Sequence, residues 1–163
     1  MPRQTGVVGA GPAAQDEHIP ALSRNPRTEL SAICAPNRER TAVEGYDARV
    51  YDDVDDMLAA ESLEWVHVAT PVGTHLDIGM RVVDADVPLL LQQPATVSRT
   101  ELDRLRSRAD ERGVPISVVH DRLYDPVIRD LRRRVRAGEI GPLRAVETTV
   151  SGERLSAESD RGD

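Results

Sequence analysis

Two glycines near the start of the chain have a spacing that indicates a ligand-binding turn. They lie in the run GAGPAA at positions 9–14, directly after a short apolar segment and before a helical pattern. In that context the spacing is typical of a dinucleotide fingerprint. Gly9 permits a tight turn, Gly11 lets the backbone approach a pyrophosphate, and Ala14 leaves room for helix–strand packing. The helix start at Pro12 and Ala13 would face the phosphates; the simpler alternative is a turn that contains two glycines.

The residues about 20 positions further on bear on the choice between NAD and NADP. The second strand of such folds usually ends in an acid that binds the adenosine ribose, but this position holds Ala35. Asn37, Arg38 and Arg40 follow, so a ribose 2′-phosphate would meet no negative charge, and Arg38 or Arg40 could bind it. NADP is therefore slightly favoured over NAD. The equally supported alternative is that these arginines open an exposed helix.

The composition excludes several classes of protein. The 163 residues suffice for one domain of ordinary size, and the formal net charge of -7 argues against binding to nucleic acid or anionic membranes. The longest apolar run, 87–91, is too short to cross a bilayer. Cys34 is the one cysteine and no Cys/His spacing indicates a metal site, so a cytoplasmic protein without a metal is expected. All 21 cationic residues are arginine, which excludes any side-chain ammonium.

Short apolar runs alternate with amphipathic segments, which predicts strands and helices in turn. The predicted strands cover 5–9, 30–34, 49–51, 65–69, 88–91, 116–119 and 143–150, and a short helix is predicted over 38–44. Asp53 and Ser98 have the positions of helix N-caps. A last helix would place Ile128, Leu131 and Val135 on its core face. Because parallel neighbours need crossover helices, the expected fold is an α/β, Rossmann-type doubly wound parallel sheet.

Several stretches together resemble the Gfo/Idh/MocA oxidoreductase family. They follow the family order as GVVGAG (6–11), HIPAL (18–22), VYDD (50–53), ATPVGTH (69–75), LLLQQP (89–94), RLYDP (122–126) and AGEIGPL (137–143). The resemblance implies an NAD(P)-binding domain over 1–142 and the start of a C-terminal domain over 143–163. It also implies hydride transfer between a nicotinamide and a sugar-like or polyol carbon.

The resemblance assigns further residues to the site and shows one departure. Thr70, Pro71 and His75 match the segment that lies near the inner nucleotide in the family, although a polar residue at a helix start is the alternative for His75. Gln92 and Gln93 stand where the family has a paired acid and base. Gln93 replaces the family lysine, and an amide cannot exchange a proton usefully near neutral pH. Catalysis by this chain alone is therefore expected to be weak or absent.

The end of the chain suggests a second class of function. Family members continue into a C-terminal domain that is expected to be largely missing, so the strand over 143–150 would present an unpaired edge. That edge could join a second copy or a partner chain. The alternative function is thus a noncatalytic nucleotide-binding or interaction module completed by a partner. His120 and Arg122 lie at the carboxyl edge of the sixth strand, where open sheets bind ligands, or are structural.

Overall fold

A computed structural model describes residues 1–35, 43, 45–147 and 149. The strands are β1 (Arg3–Val8), β2 (Thr28–Cys34), β3 (Arg49–Tyr51), β4 (Trp65–Val68), β5 (Leu89–Leu91) and β6 (Ile116–Val118). The helices are α1 (Ile19–Arg24), α2 (Val54–Ala60), α3 (His75–Asp84), α4 (Arg99–Arg112) and α5 (Pro126–Arg136). Short helical turns cover Ala14–His18, Val72–Thr74 and Asp121–Tyr124. The predicted helix over 38–44, apart from Val43, lies outside the described residues.

The six strands form one parallel sheet in the order β3-β2-β1-β4-β5-β6. Alternate strand residues face two apolar clusters. Val66 and Val68 pack with α2, α3 and α4, whereas Val7 and Ile33 pack with α1. This arrangement confirms the predicted doubly wound Rossmann-like fold. The strand order reverses between β1 and β4, and the crevice above their carboxyl ends is where such sheets bind ligands.

The helix termini show why the local sequence forms these elements. The Asp53 carboxylate accepts the Asp55 N–H at 2.7 Å and caps α2. The Ser98 hydroxyl accepts the Glu101 N–H at 3.2 Å and caps α4, which ends at Gly113 in a left-handed conformation. Both predicted caps are confirmed. Among the described residues, none of the helices combines the length and apolar character needed to cross a membrane.

The chain divides into two compact units, Met1–His120 and Asp121–Asp163. In the second unit the Asp125 carboxylate caps α5, but the predicted core face is wrong, because no residue of α5 is buried and Leu131 is 44% exposed. The strand predicted over 143–150 is also wrong for the residues described there, 143–147 and 149, which form no strand. The alternating character of this stretch is not sufficient, since a strand also needs a neighbour for its N–H and C=O groups.

Candidate functional site

The turn after β1 is built around Gly9. Its φ is +104°, and a Cβ there would lie 2.7 Å from the carbonyl oxygen of Ala69, which follows β4. The Gly9 N–H donates to Cys34 O at 2.9 Å, and the Ala69 N–H donates to Val8 O at 2.8 Å. The turn is thus fixed between the ends of β2 and β4. Glycine is required there because of both the positive φ and the close approach of another backbone.

Gly11 differs from Gly9, because nothing lies within 4 Å of the position that its Cβ would occupy. Pro12 and Ala13, at the start of the helical segment, are exposed, while Ala14 is fully buried. The predicted packing role of Ala14 fits this burial. Gly11 leaves open space beside a helix start whose first N–H groups have no intrahelical partners. Space and donors together suit an anionic group.

The segment after Ala13 is a π-helical turn over Ala14–His18, and the sequence pattern gave no sign of it. The ring of His18 packs edge-on against His67 of β4, with the ring centroids 4.4 Å apart. His67 is 3% exposed, and its Nε2 has no hydrogen-bond partner among the described residues. Burial, with smaller effects from His18 and His75, lowers the pKa of His67 to about 3. His67 therefore stays neutral near neutral pH. His18 thus packs as one member of a pair of imidazoles, in agreement with the packing role expected for it.

His75 joins two segments of the candidate site. The ring is 1% exposed; its Nε2 lies 2.8 Å from Thr70 O, and its Nδ1 lies 3.1 Å from Pro94 O and 3.2 Å from Ala95 O. Carbonyl oxygens only accept, so the ring nitrogen that carries the N–H donates to the carbonyl that it faces. Because both ring nitrogens face backbone carbonyls, His75 holds the Thr70-Pro71 turn against the segment after β5. This geometry favours a positioning role over direct proton transfer.

The segments that follow β5 and β6 bring three polar side chains to one edge. The Gln92 N–H donates to Val68 O at 2.9 Å, and the Gln92 Oε1 atom is buried with no hydrogen-bond partner among the described residues. Gln93 is exposed, and its Oε1 lies 3.4 Å from Nδ1 of His120. The Val119 N–H donates to Leu91 O at 2.8 Å, which keeps β6 in register with β5. The pairing of β5 and β6 therefore places His120 next to Gln93.

Cys34, the described ionisable side chain at the end of β2, is not reactive. Cys34 is buried, and desolvation, together with Asp53 and Asp52, raises the pKa of its thiol to about 11. Such a thiol is inert at neutral pH. Asn37 and Arg38, predicted to meet the adenosine ribose, lie outside the described residues. Within the described part of the chain, no group of three or more His, Cys, Asp or Glu side chains is arranged to hold a metal ion.

The residues present fit a dinucleotide. Gly11 leaves the space that a pyrophosphate needs beside the exposed helix start, and the buried, unpaired Oε1 of Gln92 can accept a hydrogen bond from a bound amide. Thr70 and Pro71 lie between these two points, at the end of β4. The fold and these features together define a class, the dinucleotide-binding α/β domains.

The comparison with known families is consistent with that class and narrows it. Residues 3–120 match the model described as "Oxidoreductase family, NAD-binding Rossmann fold", the Gfo/Idh/MocA family. The chain belongs to this family. The resemblance noted in the sequence is confirmed, and the match ends at the same residue as the first compact unit.

Relatives and solved structures agree with the family assignment. The rhizopine catabolism protein MocA of Rhizobium meliloti is 29% identical over 157 residues, which are 96% of this chain and 49% of that protein. The scyllo-inositol 2-dehydrogenase (NADP(+)) IolW of Bacillus subtilis is 24% identical, over 91% of this chain and 41% of that protein. A 3-ketoreductase from Actinomadura kijaniata, in complex with TDP-benzene and NADP, superposes with a TM-score of 0.77 at 27% identity, over 86% of this chain and 45% of that one. The chain thus spans about half the length of these relatives or less.

Proposed function

We propose that this chain is the NAD(P)-binding part of an oxidoreductase that moves a hydride to or from a sugar-like or polyol carbon. The main support is the turn at the end of β1, where Gly9 admits the close approach of Ala69 and Gly11 leaves open space at a helix start. Gly11, Pro12 and Ala13 would hold the pyrophosphate, with Ala14 packed beneath them. The bound cofactor supplies the hydride chemistry. The protein supplies the binding surface and its orientation.

The inner nucleotide would lie along Thr70, Pro71 and Gln92, in the segments that His75 holds together. The names of relatives support a polyol or sugar substrate, since two of them are an inositol 2-dehydrogenase and a dTDP-sugar 3-reductase. Gln93 stands at the position of the family lysine and cannot exchange a proton near neutral pH. We therefore propose that this chain alone turns over substrate weakly or not at all. The cytoplasm is the proposed location.

NADP is the preferred cofactor in this proposal. Ala35, at the end of β2, places no carboxylate where a ribose 2′-phosphate would lie, and Arg38 follows three residues later. A relative named for NADP(+) and a structural neighbour with bound NADP support the same choice. The test measures the Kd of NADH and the Kd of NADPH. The ratio of Kd for NADH to Kd for NADPH should exceed one in the wild-type chain and fall toward one in Arg38→Ala.

The test of binding is a titration of NADPH fluorescence. Gly11→Asp adds a carboxylate in the open space at the helix start, where it would repel the pyrophosphate and weaken binding about tenfold or more. The variant should fold, because no atom lies within 4 Å of the new Cβ. Ser107→Asp is the matched control, since it adds the same charge on the exposed side of α4 and should leave the Kd unchanged. Equal affinity in wild type and Gly11→Asp would refute the proposed phosphate site.

A noncatalytic module that works with a partner chain is the second candidate. The observation that favours it is the exposed apolar surface of the second unit, where Val127 is 74%, Val146 66% and Leu143 56% exposed. Light scattering across a concentration series tests whether this surface joins a second copy, because self-association would raise the molar mass above 17.9 kDa. Turnover of myo-inositol by the purified chain would instead favour a complete catalyst and contradict the module.

A further inference from the structure

The end of β6 contributes a titratable side chain at the position where the family lysine is missing. His120 follows β6, is exposed, and places its Nδ1 3.4 Å from Oε1 of Gln93. The contact depends on the parallel pairing of β5 with β6, in which Leu91 lies opposite Val118. The next hydrogen bond, from Val119 N–H to Leu91 O, continues that pairing to the edge. The juxtaposition is thus built by the sheet and not by a single loop.

The chemistry of the two side chains is complementary. Gln93 can donate and accept hydrogen bonds but does not exchange protons, whereas an imidazole takes up and releases a proton close to neutral pH. The other histidines of this unit are unsuited to that task at this edge. His67 is buried with a depressed pKa, both ring nitrogens of His75 face backbone carbonyls, and His18 packs against His67.

A dinucleotide in this fold lies across the point where the strand order reverses. With the pyrophosphate at the β1 turn and one nucleoside beside β2, the other nucleoside extends over the carboxyl ends of β4 and β5. Gln92 and Gln93 lie at the end of β5, and His120 is the neighbouring side chain on β6. We infer that His120 lies beside the nicotinamide ring and is the proton-exchanging residue of that end of the site. This inference depends on the proposed cofactor site.

The test compares two ligands that differ by one charge on the ring. The nicotinamide of NADP+ is cationic and that of NADPH is neutral, so only NADP+ should be repelled by a protonated His120. A separation of about 8 Å would correspond to about a 2- to 30-fold change in affinity, for effective dielectric constants from that of bulk water down to about 20. Calorimetric titration of the full chain should therefore show the ratio of Kd for NADP+ to Kd for NADPH rising by that factor as the pH is lowered through the range in which an imidazole takes up a proton. The ribose phosphate titrates in both ligands and cancels in the ratio.

His120→Gln should make the ratio independent of pH. The charged neighbours Asp121 and Arg122 are retained in that variant, and Arg122→Gln is the matched control, in which the pH dependence should persist. A constant ratio in the wild-type chain, with both ligands bound, would overturn the inference about His120 alone. A changing ratio that survives in His120→Gln would overturn it too, since another group would be responsible. Failure of both ligands to bind would remove the proposed cofactor site, and this inference with it.

Discussion

The buried imidazole of His67 should make the fold sensitive to acid. Its pKa is lowered from 6.5 to about 3, chiefly by burial, so the folded state favours the neutral ring and the unfolded chain binds the proton. Its contribution to stability is therefore complete above about pH 6.5 and is lost as the pH falls toward 3. Integrating this difference gives a loss of about 2 kcal/mol between about pH 7.5 and pH 5 from this one residue. That is a large share of the roughly 5 to 15 kcal/mol typical of a domain.

Urea unfolding followed by circular dichroism at several pH values measures this loss. In His67→Leu the side chain no longer titrates, so the free energy of unfolding should fall by about 2 kcal/mol less than in wild type over the same range. His120→Gln is the matched control, because it removes an exposed imidazole in place of the buried one. If His67→Leu loses as much stability on acidification as wild type, the argument from burial is incorrect.

Three further predictions follow from the described contacts. The Cys34 thiol, with its raised pKa and buried side chain, should resist a maleimide near neutral pH in the folded protein and react once urea unfolds it; labelling at equal rates in both states would contradict its burial. Ser98→Ala should lower the free energy of unfolding by about 1 kcal/mol, because it removes the α4 cap, and an unchanged urea midpoint would show that the cap is dispensable. His75→Phe should cost about 1 to 3 kcal/mol, since the carbonyl that accepts from the ring, Thr70 O or Pro94 O, loses its donor; a loss no larger than that in His120→Gln would argue against the link.

The features predicted well from sequence are those set by local chemistry and by periodicity. β3 begins and ends at the predicted residues, and the other five strands lie within about two residues of their predicted bounds. The caps at Asp53 and Ser98 were recognisable because an acceptor side chain precedes an amphipathic run. Gly9 was predictable because a strand, a glycine turn and a helix occur in direct succession.

The features that sequence could not supply depend on packing between distant segments. His67 lies within the apolar strand β4, and nothing in that local sequence indicates its contact with His18, which only the fold brings about. The contacts of His75 with Thr70 O and Pro94 O join the segments that follow β4 and β5. Sequence alone does not indicate such a contact, so helix capping by His75 was an equally reasonable prediction. The predicted core face of α5 was wrong because apolar periodicity shows only that a helix has one apolar side. It does not show that another segment covers that side, and among the described residues none buries it.

Binding and proton transfer make different demands on this sheet edge. Gly9, Gly11 and His75 meet geometric demands: a positive φ, open space, and a ring that joins two carbonyl groups. At Gly9 the positive φ and the close backbone approach exclude most other residue types, whereas Gly11 leaves open space for a ligand. Gln93 meets no demand for proton exchange, although an amide of its length can still occupy the position and form hydrogen bonds. Under the proposed function, the turn at Gly9 and Gly11 supports cofactor binding while Gln93 supplies no proton-exchanging group, so binding can be measured separately from turnover by the same chain.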